Sequence, residues 1–365
     1  MATSDFDAGI ATPGSNDKQQ AVFVKDIGPN AQFSVQTTSL PPFKDDEVLI
    51  RVSHSGLCHT DVAFAYGEWQ QLGFGMSNGN CTPGHEGVGH VVGVGAKVTN
   101  LKLGDRVGTK WLRRVCGECS WCMKGDEHLC AHGQIYGQAS SGSLQQYVAS
   151  QAKFTPIIPD AIPMEQAGPL LCAGVTIFRG IKLCNAAPRD WIVISGAGGG
   201  LGHLGVQFAA KMGIRIIGID SGDKKDFCLS LGVDHFIDFQ VCQDIPAEVA
   251  QVTGRGAKGV LVPVGTPSSY QQATRMLCPG GTLVCIGLPP GSFTLPLQLI
   301  EIISGGYTVT GVNASSLRHI QETLDFAAQH RVWSRTQVLP LEAVGQAFKS
   351  LKDGKAKGRV VLDLQ

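Results

Sequence analysis

Residues 191 to 220, WIVISGAGGGLGHLGVQFAAKMGIRIIGID, narrow the possible folds more than any other stretch of the chain. Trp191 to Ile194 is an apolar, partly β-branched run of the length of a buried strand. A glycine turn follows from Gly196 to Gly202. From Leu201 onward, Leu204, Val206, Phe208, Ala209 and Met212 suit a helix that Gly213 ends. Ile214 to Ile219 predicts a second buried strand, which stops at Asp220. Strand, glycine turn, helix and strand make the first βαβ unit of a dinucleotide-binding fold. Gly196, Gly198, Gly199, Gly200, Leu201 and Gly202 are where the backbone can approach a pyrophosphate at a helix N-terminus. Asp220, eighteen residues beyond Gly202, is placed to bind a ribose diol. The match to the glycine fingerprint is a variant, since Ala197 and Gly199 hold its first two places. A carboxylate at 220 repels a 2′-phosphate, so NAD is the expected cofactor, a preference that Lys224 and Lys225 soften.

The alternation of strand and helix continues. Further strands are expected at 235–239, 259–264, 282–286 and 307–312, which brings the total to the six of a doubly wound (Rossmann) sheet. Ahead of Gly168 the texture changes to short strands with many glycines and prolines, and an irregular β domain is expected there. Residues 316–330 predict a helix, and GRVVLDL ends the chain as a strand that rejoins the first domain.

A second dense feature is CGECSWCMKGDEHLC, which spaces cysteines as Cys116-x2-Cys119-x2-Cys122-x7-Cys130. The short gaps turn neighbouring thiolates toward one point and the long gap returns a fourth, the closed shell of a structural zinc. An iron–sulfur cluster also takes four cysteines, although its familiar runs are spaced differently. The polar start of the chain resembles neither a signal peptide nor a transit peptide, and no window is as apolar as a membrane span. A soluble cytoplasmic protein is therefore expected, and in that compartment twelve cysteines argue against a disulfide framework. Lys plus Arg and Asp plus Glu both number 30, so there is no basic excess to serve a nucleic acid.

GLCHTD (56–61), GHEGVGHVVGVG (84–95), the cysteine loop, LLCAGVT (170–176) and GAGGGLG (196–202) together resemble, in the same order, the motifs of zinc-dependent medium-chain alcohol dehydrogenases, the fungal, yeast-type branch above all. The resemblance implies a GroES-like catalytic domain over 19–173 and 311–365 and a dinucleotide-binding domain over 174–310; it leaves out residues 1–18, whose polar, acidic composition predicts a flexible tail. It also implies two zincs, one structural and one catalytic, with Cys58, His85 and Cys172 as ligands of the catalytic ion and Glu86 behind it. By the same resemblance Asp61 orients His85 and Thr60 takes the alcohol proton. His59 and Arg359 meet the pyrophosphate, and Thr176 lies under the nicotinamide. The family's reaction moves a hydride between an alcohol and C4 of a nicotinamide while the metal lowers the pKa of the alcohol. A primary alcohol and NAD(H) are expected, with a cinnamyl-type, polyol or secondary-metabolite dehydrogenase, NADP included, as the alternative. A catalytically inactive zinc-binding scaffold is the remote one. Relatives form dimers or tetramers, so a homo-oligomer is expected, with neither membrane nor nucleic acid as a partner.

Two departures stand out. Many relatives end the proton relay in a histidine eight residues after the first zinc cysteine, and here Tyr66 holds that position, as a relay hydroxyl or as packing. The stretch from Trp69 to Cys81 looks longer than in ethanol-type relatives, and Trp69, Trp111 and Leu288 fall where the family lines its substrate pocket.

Overall fold

The structure, a computed structural model, describes residues 13, 14, 17–76, 81–138, 140–313 and 316–365. The tail expected over 1–18 lies mostly outside these residues, and its last member, Lys18, already begins a strand. The first part of the chain contains β1 (Lys18–Lys25), β2 (Gln32–Ser39), β3 (Glu47–Leu57), α1 (His59–Ala65), β4 (Glu86–Val94), β5 (Arg106–Gly108), β6 (Leu112–Arg114), α2 (Ser120–Met123), β7 (Gln134–Ile135), β8 (Tyr147–Gln151), α3 (Met164–Pro169) and α4 (Val175–Leu183). The alternating part follows as β9 (Trp191–Ser195), α5 (Gly202–Lys211), β10 (Arg215–Asp220), α6 (Lys225–Leu231), β11 (His235–Asp238), α7 (Ile245–Thr253), β12 (Ala257–Val262), α8 (Pro267–Ala273), β13 (Leu277–Cys285), α9 (Leu299–Gly305) and β14 (Thr308–Gly311). The chain closes with α10 (Leu317–His330), β15 (Thr336–Pro340), α11 (Val344–Lys352) and β16 (Arg359–Asp363).

β3 organises the first sheet. One of its edges pairs with β4, while the other takes β8 along its first half and β16 along its second, all antiparallel. The closing strand pairs Val360 with Leu57, and so enters the same sheet as the residues around Cys58. The second sheet is parallel throughout, in the order β11-β10-β9-β12-β13-β14, the doubly wound arrangement expected. β12 stops at Val262 instead of reaching 264, because Pro263 has no N–H to give the ladder. β13 begins at Leu277 instead of 282, since an irregularity between Ala257 and Gly259 lets Leu277 pair with Ala257.

A parallel sheet is covered on both faces, which is why its strands are apolar without alternation. On one face Ile192, Ile194 and Ile216 pack with Ile177 and Phe178 of α4 and Phe208 of α5. On the other, Val193, Ile217, Val260 and Leu283 pack with Val249 and Tyr270. Each such side chain, fully removed from water, contributes about 1.5–3 kcal/mol. Helix α10, which the expected boundary at 311 places in the first domain, buries Ile320, Leu324 and Ala327 in the core shared with β9 and α5. Among the described residues no helix is long and apolar enough to cross a membrane.

Candidate metal and cofactor site

Three elements meet at the first metal-ligating cluster. Cys58 caps the start of α1, directly after β3 ends. His85 immediately precedes β4, which Glu86 opens. Cys172 lies in a wide, π-helical turn over Leu170–Gly174 between α3 and α4, a distortion common at functional positions. Ligand atoms of Cys58, His85, Glu86 and Cys172 all fall within 4.8 Å of one another. The two sulfurs are 4.0 Å apart and His85 Nε2 is 3.3 Å from the Cys172 sulfur. Thiolates on a tetrahedral zinc, bound at about 2.3 Å, stand about 3.8 Å apart, so the donor set fits this ion.

The surroundings prepare the same donors. Asp61 Oδ1 lies 3.1 Å from His85 Nδ1 and accepts its proton, which leaves Nε2 with a free lone pair on the sulfur side. Asp61 is itself held by the Cys58 and Gly84 N–H groups at 2.9 and 3.1 Å. A hydrogen bond with Cys172 holds the Cys58 thiol well below its ordinary range and raises that of Cys172. Glu86 is fully buried; one oxygen pairs with Arg359 and the other, Oε2, has no hydrogen-bond partner among the described residues. Burial pushes the Glu86 carboxyl up and the Arg359 charge opposes it. Room for that free oxygen exists because residue 56 is glycine: a Cβ there would stand 2.1 Å from it. The Thr60 hydroxyl is 3.6 Å from the Cys58 sulfur, and the Trp111 ring packs edge-on to His85 with centroids 5.1 Å apart.

The cysteine loop forms a separate lobe. Cys116 lies 3.8 Å from Cys122 and 3.6 Å from Cys130, sulfur to sulfur, and all four ligand atoms including Cys119 lie within 4.8 Å. Every one is a free thiol, and the spacing again fits a tetrahedral zinc. Main-chain N–H donors of Glu118 and Cys119 hold Cys116 down at about 6, whereas burial pushes Cys122 up to about 12. The buried pair of Lys110 and Glu127, at 2.7 Å, anchors the lobe, and Glu127 Oε1 also accepts the Leu317 N–H at the start of α10. Asp126, His128 and His319 lie close by but take no metal as arranged. Arg179 donates to His128 Nε2 at 2.9 Å, so Nδ1 carries the ring proton and neither nitrogen of that imidazole has a lone pair free.

The glycine turn leads from β9 into α5. Gly196 has φ of +63°, and a Cβ on Gly202 would stand 2.0 Å from the Gly196 carbonyl oxygen, so both positions require glycine. Asp220 accepts the Gly198 N–H at 2.8 Å and pairs with Lys224 at 3.1 Å. It is Lys224 that reaches Asp220; Lys225 is exposed at the head of α6. Arg359 stands between the two sites, because a Cβ on Gly200 would lie 3.0 Å from its guanidinium while the same group bonds Glu86.

Other expected residues fall elsewhere. Tyr66 caps the end of α1 on the side facing α11, its ring 3.6 Å from the Lys352 ammonium, and is not among the side chains gathered at Cys58. Burial raises its phenol pKa. His59 is exposed and 3.6 Å from Glu68. Thr176 is buried in the first turn of α4, four residues past Cys172. Trp69 packs edge-on to Phe64, which also adjoins Trp111, and the buried Trp69 indole N–H has no partner among the described residues. Leu288 is half-exposed in the segment after β13. Of the long 69–81 stretch, residues 77–80 lie outside the described ones. Sequence reasoning missed His203, which is completely buried against the glycine turn; its only signal was a histidine directly after the last glycine.

The family described as alcohol dehydrogenase GroES-like domain matches residues 44–160, and that described as zinc-binding dehydrogenase matches 200–329. Alcohol dehydrogenase 2 of Emericella nidulans is 39% identical, across 97% of this chain and 100% of its own. An alcohol dehydrogenase of Schizosaccharomyces pombe is 38% identical, across 95% and 98%. Among solved structures, a cinnamyl alcohol dehydrogenase of Sorghum bicolor superposes with a TM-score of 0.83 at 28% identity, over 95% of this chain and 98% of that one. The alcohol dehydrogenase of Aeropyrum pernix superposes with a TM-score of 0.84 at 25% identity, over 94% and 99%.

Proposed function

The chain belongs to the zinc-binding alcohol dehydrogenases with a GroES-like domain, and on that footing we propose an NAD-dependent enzyme with two zincs that interconverts a primary alcohol and its aldehyde. One observation carries the reading: Cys58, His85 and Cys172 converge from three elements, with Glu86 behind them tied to Arg359 at the glycine turn. Cys58, His85 and Cys172 would hold a zinc that would supply Lewis acidity toward the substrate oxygen, and a nicotinamide cofactor at the glycine turn would supply the hydride acceptor. The chain's own residues do the rest. Asp61 keeps the proton on His85 Nδ1 and its lone pair at Nε2. Thr60 holds the hydroxyl proton in transit at Oγ1. Arg359 and the Gly200 region bind the pyrophosphate with His59, which exchanges Glu68 for it, and Thr176 supports the nicotinamide. Asp220 binds the ribose diol and excludes a 2′-phosphate. Trp111 and Trp69 narrow the pocket toward small or planar alcohols, with Leu288 at its rim. Cys116, Cys119, Cys122 and Cys130 hold the second, structural zinc.

Lys224 favours one alternative. Released from Asp220, it is a ready partner for a 2′-phosphate, so a cinnamyl-type or secondary-metabolite dehydrogenase using NADP is the second reading. We further propose a cytoplasmic homo-oligomer built along β14, the outermost strand of the parallel sheet. Beside it, α9 exposes Leu299, Ile300 and Ile303 by 64% or more, and a second copy is the simplest cover for that face. The deciding experiment follows nicotinamide absorbance with NADH and NADPH against short, branched and aromatic aldehydes, with zinc content and molar mass measured on the same protein. NADH oxidation by an oligomer with two zincs per chain is expected. NADPH preference selects the second reading, and turnover by zinc-free protein overturns both.

A further inference from the structure

His203 has no exposed surface, and both its ring nitrogens are engaged by main-chain atoms of segments far apart in sequence. Nδ1 lies 2.9 Å from the Gly199 carbonyl, which can only accept, so Nδ1 carries the proton. Nε2 therefore accepts, from the Arg335 N–H at 3.1 Å and the Ser334 hydroxyl at 3.3 Å. The Gly199 carbonyl also takes the main-chain N–H of His203 at 3.1 Å. A trans peptide sets its N–H opposite its carbonyl. Holding the Gly199 carbonyl against α5 therefore turns the Gly200 N–H out of the helix, at the residue over which Arg359 stands.

The far end of the connection leads to Arg359 as well. The Arg335 carbonyl accepts the Arg359 N–H at 2.8 Å, and Gly358 N–H reaches the Gly198 carbonyl at 3.4 Å. Gln207, one turn further along α5, makes a parallel tie to the His203 and Trp333 carbonyls, both at 3.0 Å. Packing alone would be met by any flat ring, since Phe227 stacks on the imidazole with centroids 6.4 Å apart. It would not require a donor on one side and an acceptor on the other.

We propose that His203 is a positioning residue for the dinucleotide: a neutral imidazole that locks the glycine turn to the 333–335 segment, so that the Gly200 amide and Arg359 present themselves to one pyrophosphate. The inference rests on the cofactor reading given above. His203 touches no reacting atom and acts through the groups it holds.

The test is titration of the zinc-loaded, full-length protein with NADH, followed by fluorescence, with kcat and the alcohol KM at saturating NAD measured alongside. His203→Phe keeps a ring without nitrogens and is expected to weaken NADH binding by about tenfold, the worth of one net hydrogen bond, while the alcohol KM stays unchanged. His203→Asn, whose amide stands near Nδ1 and can bond Gly199, recovers most of that loss; His203→Gln, which reaches toward Arg335, recovers less. A folded His203→Phe with wild-type NADH affinity overturns the inference. So does a loss shared equally by NADH binding and alcohol KM that Asn does not rescue. Should His203→Phe not fold, the two amide variants decide, and wild-type affinity in both overturns it. A wild-type protein that binds neither NADH nor NADPH overturns the cofactor reading itself, before any variant is compared.

Discussion

Arg359 and Glu86 are 273 residues apart and form a buried ion pair that joins the glycine turn to the cluster of Cys58, His85 and Cys172. Burial works against the arginine's charge, but Glu86, Cys58 and Cys172 more than offset it and hold the guanidinium firmly protonated. Removing one partner of such a pair leaves the other buried and unpaired.

Arg359→Leu is therefore expected to cost about 3–5 kcal/mol of stability in denaturant unfolding. Combining it with Glu86→Gln, which removes the stranded charge, recovers part of that loss. Unfolding of the single variant at the wild-type midpoint would show that the pair adds nothing.

His203 makes stability depend on acid. Burial holds its folded pKa down at about 4, against about 6.5 for an unfolded chain. Between those values the unfolded state binds the extra proton, so stability is full above about 6.5 and falls as pH drops toward 4. The total from this group is about 3 kcal/mol at most. Unfolding free energies measured across that range are expected to decline less steeply in His203→Asn than in the wild type; parallel slopes would assign the acid limb to other groups.

The two cysteine clusters separate stability from turnover. The lobe has a small core of its own, Leu112, Val115 and Phe154 beside the cysteines, so its order is expected to depend on a metal bound by them. Cys122→Ser is expected to lose one zinc, lower the melting temperature and open residues 116–130 to protease. Cys172→Ser is expected to lose the other zinc and all turnover at nearly wild-type melting temperature. Strong visible absorbance of the purified protein would instead indicate iron and sulfur in the lobe.

Asp220→Asn removes the charge that repels a 2′-phosphate and frees Lys224 from its ion pair. The ratio of kcat/KM for NADP to that for NAD is expected to rise about tenfold or more. An unchanged ratio would place cofactor choice elsewhere than at the end of β10.

Much of this was legible in local pattern. The βαβ unit from Trp191 to Asp220 shows itself because each piece needs only near neighbours: apolar runs long enough for strands, and glycines where a Cβ would strike the backbone. The cysteine lobe is legible for the same reason, its four donors lying within fifteen residues. Asp61 and Thr60 became readable only through the motif around Cys58. Tyr66 shows the limit of that method. Its place in the motif leaves relay hydroxyl and packing equally open, and only the packing of α1 against α11 sets its ring 3.6 Å from the Lys352 ammonium. Which lysine pairs with Asp220 is likewise not legible locally; Lys224 does, since one residue of difference at the head of α6 rotates a side chain by about 100°.

The sequence by itself determined which segments form the parallel sheet, where the glycine turn lies and that four cysteines stand together, because all of these are contacts over short stretches of chain. Only the tertiary structure decided that Arg359 meets Glu86, that His203 spans from Gly199 to Arg335, and which atoms of Cys58, His85 and Cys172 face one another. Those pairings follow from β16 closing onto β3 and from α3, just ahead of the Cys172 turn, packing against β3 and β4. No local periodicity encodes which distant strands will share a sheet; that is set by burying both faces of the assembled layers at once.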